Sequence, residues 1–83
     1  MKVSVVYALE NEQVWLPVEV EPGATIMSAI HESRILSMFP SIDLEQQKVG
    51  VFGKTSSLEA AINEGDRVEI YRPLIWEAED DQD

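Results

Sequence analysis

Few side chains in this sequence could do chemistry, and their spacing limits what they could do. His31 is the only histidine and there is no cysteine, so neither a usual zinc site nor a histidine-based triad can be assembled. Ser28 stands three residues before His31. A Ser–His pair with no orienting acid and no oxyanion donors is a coincidence of helical spacing. His31 directly follows Ile30 and is expected to face solvent from a helix. Asp80 and Asp81 stand in an acidic stretch with nothing to hold them at a fixed separation, which acid–base work or a Mg²⁺ site would require. No catalytic, metal-binding or cofactor-binding residue is assigned, and the chain is expected not to be an enzyme.

The chemistry that remains is that of contact. In an extended segment side chains alternate between two faces, which sets Trp15 opposite Leu16 and Val18, and Tyr71 opposite Val68 and Ile70. Trp, Tyr and Arg are the residue types that dominate binding hot spots. Trp15, Arg67 and Tyr71 on an outer sheet face, with Arg72 nearby on the last strand and Trp76 just beyond it, are therefore the candidate protein-interaction residues. The plainer reading of Trp15 is a lone exposed aromatic covering a neighbour. Met38 and Phe39 are expected at the core rim, with an adaptable apolar contact as the alternative.

These residues need a scaffold, and the pattern supplies one. Lys2 to Ala8 is rich in β-branched residues and places Val3, Val5 and Tyr7 on one face. Val14 to Val20 alternates Val14, Leu16, Val18 and Val20 with Trp15, Pro17 and Glu19, so the two segments read as a hairpin around Glu10–Gln13. Pro17 cannot donate to a ladder, which predicts a sheet edge there or a position turned away from the neighbour. Thr25 precedes Ile26, Ala29 and Ile30 and predicts a threonine-capped helix to about Ser33. Ile35–Phe39, close to Pro40, predicts a short helical turn that plugs the end of the core.

Lys48–Phe52 is expected to be a short strand. Gly50 within it predicts a bulge or a close approach of another element. Ser57–Ile62 suggests one helical turn presenting Leu58 and Ile62. Gly65 suits a turn with positive φ, and Arg67–Arg72 alternates as a final strand until Pro73. The expected fold is α+β: a mixed four-stranded sheet with one main helix packed across it and a short helical turn. Pairing of the last strand with the first would make the helix a right-handed crossover. Residues 1–76 would form this domain, and residues 77–83, dominated by acids, a disordered tail.

Composition sets the outer limits. The chain has 83 residues, 45% hydrophobic and 27% charged, an ordinary globular profile at a length that buries only about 60 to 65% of the unfolded surface. That allows one modest core and little material for a deep cleft. The net charge of −10 disfavours nucleic acid and anionic membrane surfaces, both of which are bound by displacing counterions with Lys and Arg. It favours a protein partner with a basic surface, unless the acidity serves only solubility. No apolar run approaches the roughly 20 residues needed to span a bilayer, so no direct membrane insertion is expected. With no leader ahead of Lys2 and no disulfides, a cytoplasmic location is expected, as a monomer or a weak homodimer joined through an exposed edge strand.

Two blocks carry a resemblance: Val49-Gly50-Val51-Phe52-Gly53-Lys54, and Glu64-Gly65-Asp66-Arg67-Val68-Glu69-Ile70-Tyr71-Arg72-Pro73-Leu74. With Val5-Val6-Tyr7-Ala8-Leu9, Glu21-Pro22-Gly23-Ala24-Thr25 and Ile42-Asp43-Leu44 in the same order, the chain resembles the RnfH family of small bacterial ubiquitin-like proteins up to Leu74. The resemblance implies the β-grasp (ubiquitin-like) fold. It also implies an accessory or regulatory role linked to an Rnf electron-transport complex or a RatA-type toxin–antitoxin locus, associations that define no chemistry. Two positions depart from the family pattern: Arg34 stands where Gly tends to follow the helix, and Trp76 with acids replaces a basic helical tail. Sulfur carriers of this fold act through a C-terminal Gly-Gly, whereas no glycine follows Gly65 here, so carrier activity is not expected. The leading expectation is a protein-binding module acting through its sheet face or a sheet edge.

Overall fold

The computed structural model describes residues 1–9 and 12–71. Alternation along Lys2–Ala8 (β1) and Gln13–Glu19 (β2) sets their pairing: Val3 lies opposite Val18, Val5 opposite Leu16 and Tyr7 opposite Val14. One apolar face is thereby formed by two strands at once, and a slip of one residue would turn every member of it into solvent. Helix α1 (Ile26–Ser33) closes that face with Ile26, Ala29 and Ile30, all fully buried. Its start is held by Thr25, whose Oγ1 accepts from the Ser28 amide at 3.2 Å, satisfying one of the donors that a helix leaves unpaired. Its end is built on Arg34 in the left-handed region, φ 64. A side chain there costs about 1 kcal/mol that glycine avoids, and the chain turns at once into α2 (Ile35–Met38), whose Ile35 is fully buried. The capped helix and the short plug stand where the pattern predicts.

Strand β5 (Arg67–Ile70) runs parallel to β1, with Val68 opposite Val5 and Ile70 opposite Tyr7. Strand β3 (Val49–Val51) runs antiparallel to β5, and β4 (Lys54–Ser56) antiparallel to β3. The sheet is mixed and ordered β2-β1-β5-β3-β4, a β-grasp arrangement with α1 across one face. It has five strands instead of the four expected. Lys54-Thr55-Ser56 is exposed at all three positions, so no buried apolar residue marks it in the sequence.

The expected helical turn at Ser57–Ile62 is absent. A single turn with Ala60 N donating to Ser57 O at 3.1 Å leads into an isolated bridge between Ala61 and Thr25. The amides of Ile26, Met27 and Ile62 then bond to the carbonyls of Ala60, Leu58 and Ala24. These pairings with the helix start win over local helix, because one short turn cannot outweigh long-range bonds that also bury Ile62.

The two sheet edges differ. Ser4 N donates to Asp66 O, and Lys2 O accepts from Gly65 N, so the even-numbered residues of β1 point their backbone groups at β5 and the odd-numbered ones at β2. By the antiparallel register, residues 13, 15, 17 and 19 of β2 turn theirs outward. Pro17 therefore removes a donor from the free edge itself, which fits its expected edge position and blunts strand addition there.

Candidate interaction site on the outer sheet face

The face turned away from α1 is assembled by register. Trp15 of β2, Val6 of β1, Glu69 of β5, Gly50 of β3 and Thr55 of β4 fall in one row across all five strands, and Ser4 and Arg67 are paired beside it. Trp15 leans over β1, its Nε1 donating to Ser4 Oγ at 3.2 Å. Val6, although on this outer face, is only 5% exposed. The indole thus covers a neighbour and still leaves 51% of Trp15 exposed.

Arg67 is the centre of the site. Its Cζ lies 5.5 Å from the Trp15 ring centroid and 5.3 Å from that of Phe52, within the range in which a guanidinium is attracted by an aromatic quadrupole. Its Nε stands 3.0 Å from Glu69 Oε2. This is an ion pair by distance without the alignment of a hydrogen bond, because the buried Nε–H finds no acceptor in line. Glu69 Oε1 in turn accepts from the Tyr71 hydroxyl at 2.7 Å and from the Gly53 amide at 2.8 Å. Trp15, Arg67 and Tyr71, which the sequence places on this face, are therefore joined into one cluster. Arg72 and Trp76, with the expected tail at 77–83, lie outside the described residues.

Phe52 and Glu69 are members that the sequence reading did not single out. Phe52 was expected to end a strand. Instead Phe52 and Gly53 form a two-residue turn between the paired Val51 and Lys54, with φ of 49 and 84. Positive φ at both central positions is the type I′ requirement, normally met by Asn-Gly or Asp-Gly. An aromatic at the first position stores roughly 1 kcal/mol of backbone strain, and 54% of this residue is exposed. The signal was present as a two-residue loop before Lys54, hidden because β4 has no apolar residue.

Gly50 fits as expected, through close approach. A Cβ there would fall on the Lys54 carbonyl and lie 2.9 Å from the Tyr71 hydroxyl oxygen. Tyr71 is further fixed from behind. Its amide donates to Lys48 O at 2.9 Å, and its carbonyl accepts at 2.9 Å from Nε2 of the buried Gln47, whose Oε1 accepts from the Asp43 amide at 2.8 Å.

Burial, reinforced by the hydrogen bond to Glu69 and its negative charge and opposed by Arg67, raises the Tyr71 hydroxyl from 10.0 to about 12. The fold binds this proton more tightly than the unfolded chain does. The resulting stabilisation is complete below pH 10 and is lost as pH rises from there through about 12. In a Tyr7→Phe background, ultraviolet titration is expected to show Tyr71 ionising near 12, and Glu69→Gln to move the midpoint down without bringing it fully to 10. An ordinary midpoint in the unsubstituted cluster would contradict the assignment.

His31 is exposed on α1, and the Ser28 hydroxyl is engaged with Thr25 Oγ1 at 3.1 Å. Among the described residues no three His, Cys, Asp or Glu side chains are grouped so as to hold a metal ion, and no helix is long and apolar enough to cross a membrane. Exposed Met38, at 52%, stands on the other side of the molecule with the partly buried Phe39, which packs edge-on to Tyr7 at 5.4 Å.

Comparison with known structures supports the architecture. The chain superposes on SAMP1 from Haloferax volcanii with a TM-score of 0.67 at 15% identity, over 90% of this chain and 98% of that one. It superposes on a putative molybdopterin converting factor, subunit 1, from Pyrococcus furiosus with a TM-score of 0.64 at 21% identity, over 88% and 98%. At such identities the likeness is one of fold.

Sequence comparison reaches further. The chain is 55% identical over 74 residues to Protein RnfH of Paramagnetospirillum magneticum, covering 89% of this chain and 76% of that protein. It is 52% identical over 79 residues to Protein RnfH of Rhodobacter capsulatus, covering 95% and 93%. The family model described as RnfH family Ubiquitin matches residues 1–83. With the β-grasp sheet, the single crossing helix and these relatives in agreement, the chain belongs to the RnfH family of ubiquitin-like proteins.

Proposed function

We propose that this domain is a non-catalytic interaction module that grips another protein with the outer face of its sheet, through Trp15, Phe52 and Arg67. The observation that carries the reading is the exposed Trp15–Arg67–Phe52 stack, held together with Phe52 in a left-handed conformation that a strand turn does not ordinarily give to an aromatic. Strain kept at an exposed side chain is a pointer to use, since stability alone would select Asn there. Rigid aromatics around an arginine bind at low entropic cost because little side-chain freedom remains to be lost. The net charge of −10 steers the module toward partners with a basic surface.

The test separates binding from stability. Affinity capture from the native cell is compared for the unaltered chain, Trp15→Ala and Phe52→Asn, each checked by thermal melting. Capture of a defined partner is expected to fall about tenfold or more with either substitution, the magnitude of a hot-spot loss. The Phe52→Asn domain should melt no lower than the original, because Asn suits the turn. A partner retained equally by all three proteins rules out this face.

A further inference from the structure

We infer that Arg67 is a receptor for a carboxylate, so that the outer face recognises a protein segment bearing Asp or Glu beside an apolar or aromatic side chain. This deepens the outer-face reading and rests on it. An arginine carries five N–H donors in a planar fork. Among the described residues only Glu69 engages this one, at Nε, and no group accepts from either Nη. The side chain is 37% exposed although its Nε is buried, so the fork remains reachable. Glu69 balances the arginine charge from the Nε side only, its Oε2 lying 3.0 Å from Nε while its Oε1 is turned to the Tyr71 hydroxyl and the Gly53 amide, so the far edge of the guanidinium is left to a second acceptor. The result is a slot in which, among the described residues, both Nη groups keep their N–H donors unused, walled by the Trp15 and Phe52 rings.

A planar carboxylate matches that fork with two parallel bonds, and the rings exclude water that would otherwise weaken them. The rings equally ask for an apolar neighbour on the partner. With a chain of net charge −10, a doubly charged phosphate or a run of acids is repelled at range. The segment that fits carries one carboxylate in otherwise neutral or basic surroundings.

The experiment selects binders from a random peptide display library on the immobilised full chain and measures the selected peptides by fluorescence anisotropy. Asp or Glu next to an aromatic or large aliphatic residue is expected to be enriched. Changing that acid to its amide should weaken binding to the unaltered protein about tenfold, the scale of a lost charge-assisted hydrogen bond, and by less than about twofold to Arg67→Gln. Peptides that require Trp15 but show no acid enrichment, or that lose equally on both proteins, overturn the carboxylate assignment and leave the outer face standing. An empty selection, or peptides indifferent to Trp15→Ala, overturns the outer-face reading together with it.

Discussion

Gly50→Ala is expected to destabilise the domain by about 3 kcal/mol, among the most damaging single methyl additions available to it. The added carbon meets backbone at the Lys54 carbonyl, which cannot swing aside as a side-chain tip could, and overpacking of this kind typically costs 1–3 kcal/mol or more. A thermal melt followed by circular dichroism should show the midpoint about 12–24 °C lower, at the roughly 4–8 °C per kcal/mol of a domain this size. The damage should spread to the site, because the same methyl lies 2.9 Å from the hydroxyl that Tyr71 donates to Glu69. Gly23→Ala is the control: its φ of +90 carries a conformational cost, but no atom lies within 4 Å of the new carbon, and a loss nearer 1 kcal/mol is expected. Equal melting of the two variants would refute the packing account.

Ile30→Ala carries the second large effect. Ile30 is fully buried in the cluster that joins α1 to the inner face of the sheet, and removal of its outer carbons leaves a cavity that a close-packed core only partly refills. A loss of about 3–4 kcal/mol is expected, a large share of the roughly 4–12 kcal/mol that a domain of this length possesses. Urea unfolding should show the midpoint falling with the slope unchanged, and Ile30→Val should lose only about 1 kcal/mol. A loss below 1 kcal/mol for the alanine variant would mean that α1 is not the lid of this core. The substitution lies opposite the Trp15–Arg67–Phe52 face, so affinity per folded molecule should be unaltered, which separates core from contact.

Much of this arrangement is legible along the chain wherever one face of an element is buried. The period-two pattern of Val3, Val5 and Tyr7 against Val14, Leu16 and Val18 predicts the hairpin. Thr25 followed by Ile26, Ala29 and Ile30 predicts the capped helix, and Pro17 predicts a sheet edge or a position turned away from the neighbour. The same alternation places Trp15, Arg67 and Tyr71 on one outer face before any coordinate is known. Legibility fails where no burial constrains the pattern: β4 is three exposed polar residues, and Ser57–Ile62 has helical spacing yet spends its backbone on the start of α1.

What sequence alone determined was a layer of sheet with one capped helix across it and the sidedness of its strands, since water is excluded from one face and the period of apolar residues records which, while the β-grasp itself was implied by the family resemblance. Tertiary structure decided that five strands close the sheet, that a left-handed Phe52 joins Trp15 around Arg67, and that Glu69 ties Arg67 to Tyr71. Such contacts connect residues 15, 52 and 67 across four neighbouring strands. They follow from strand order and from a turn conformation, and neither leaves a periodic trace in the order of amino acids.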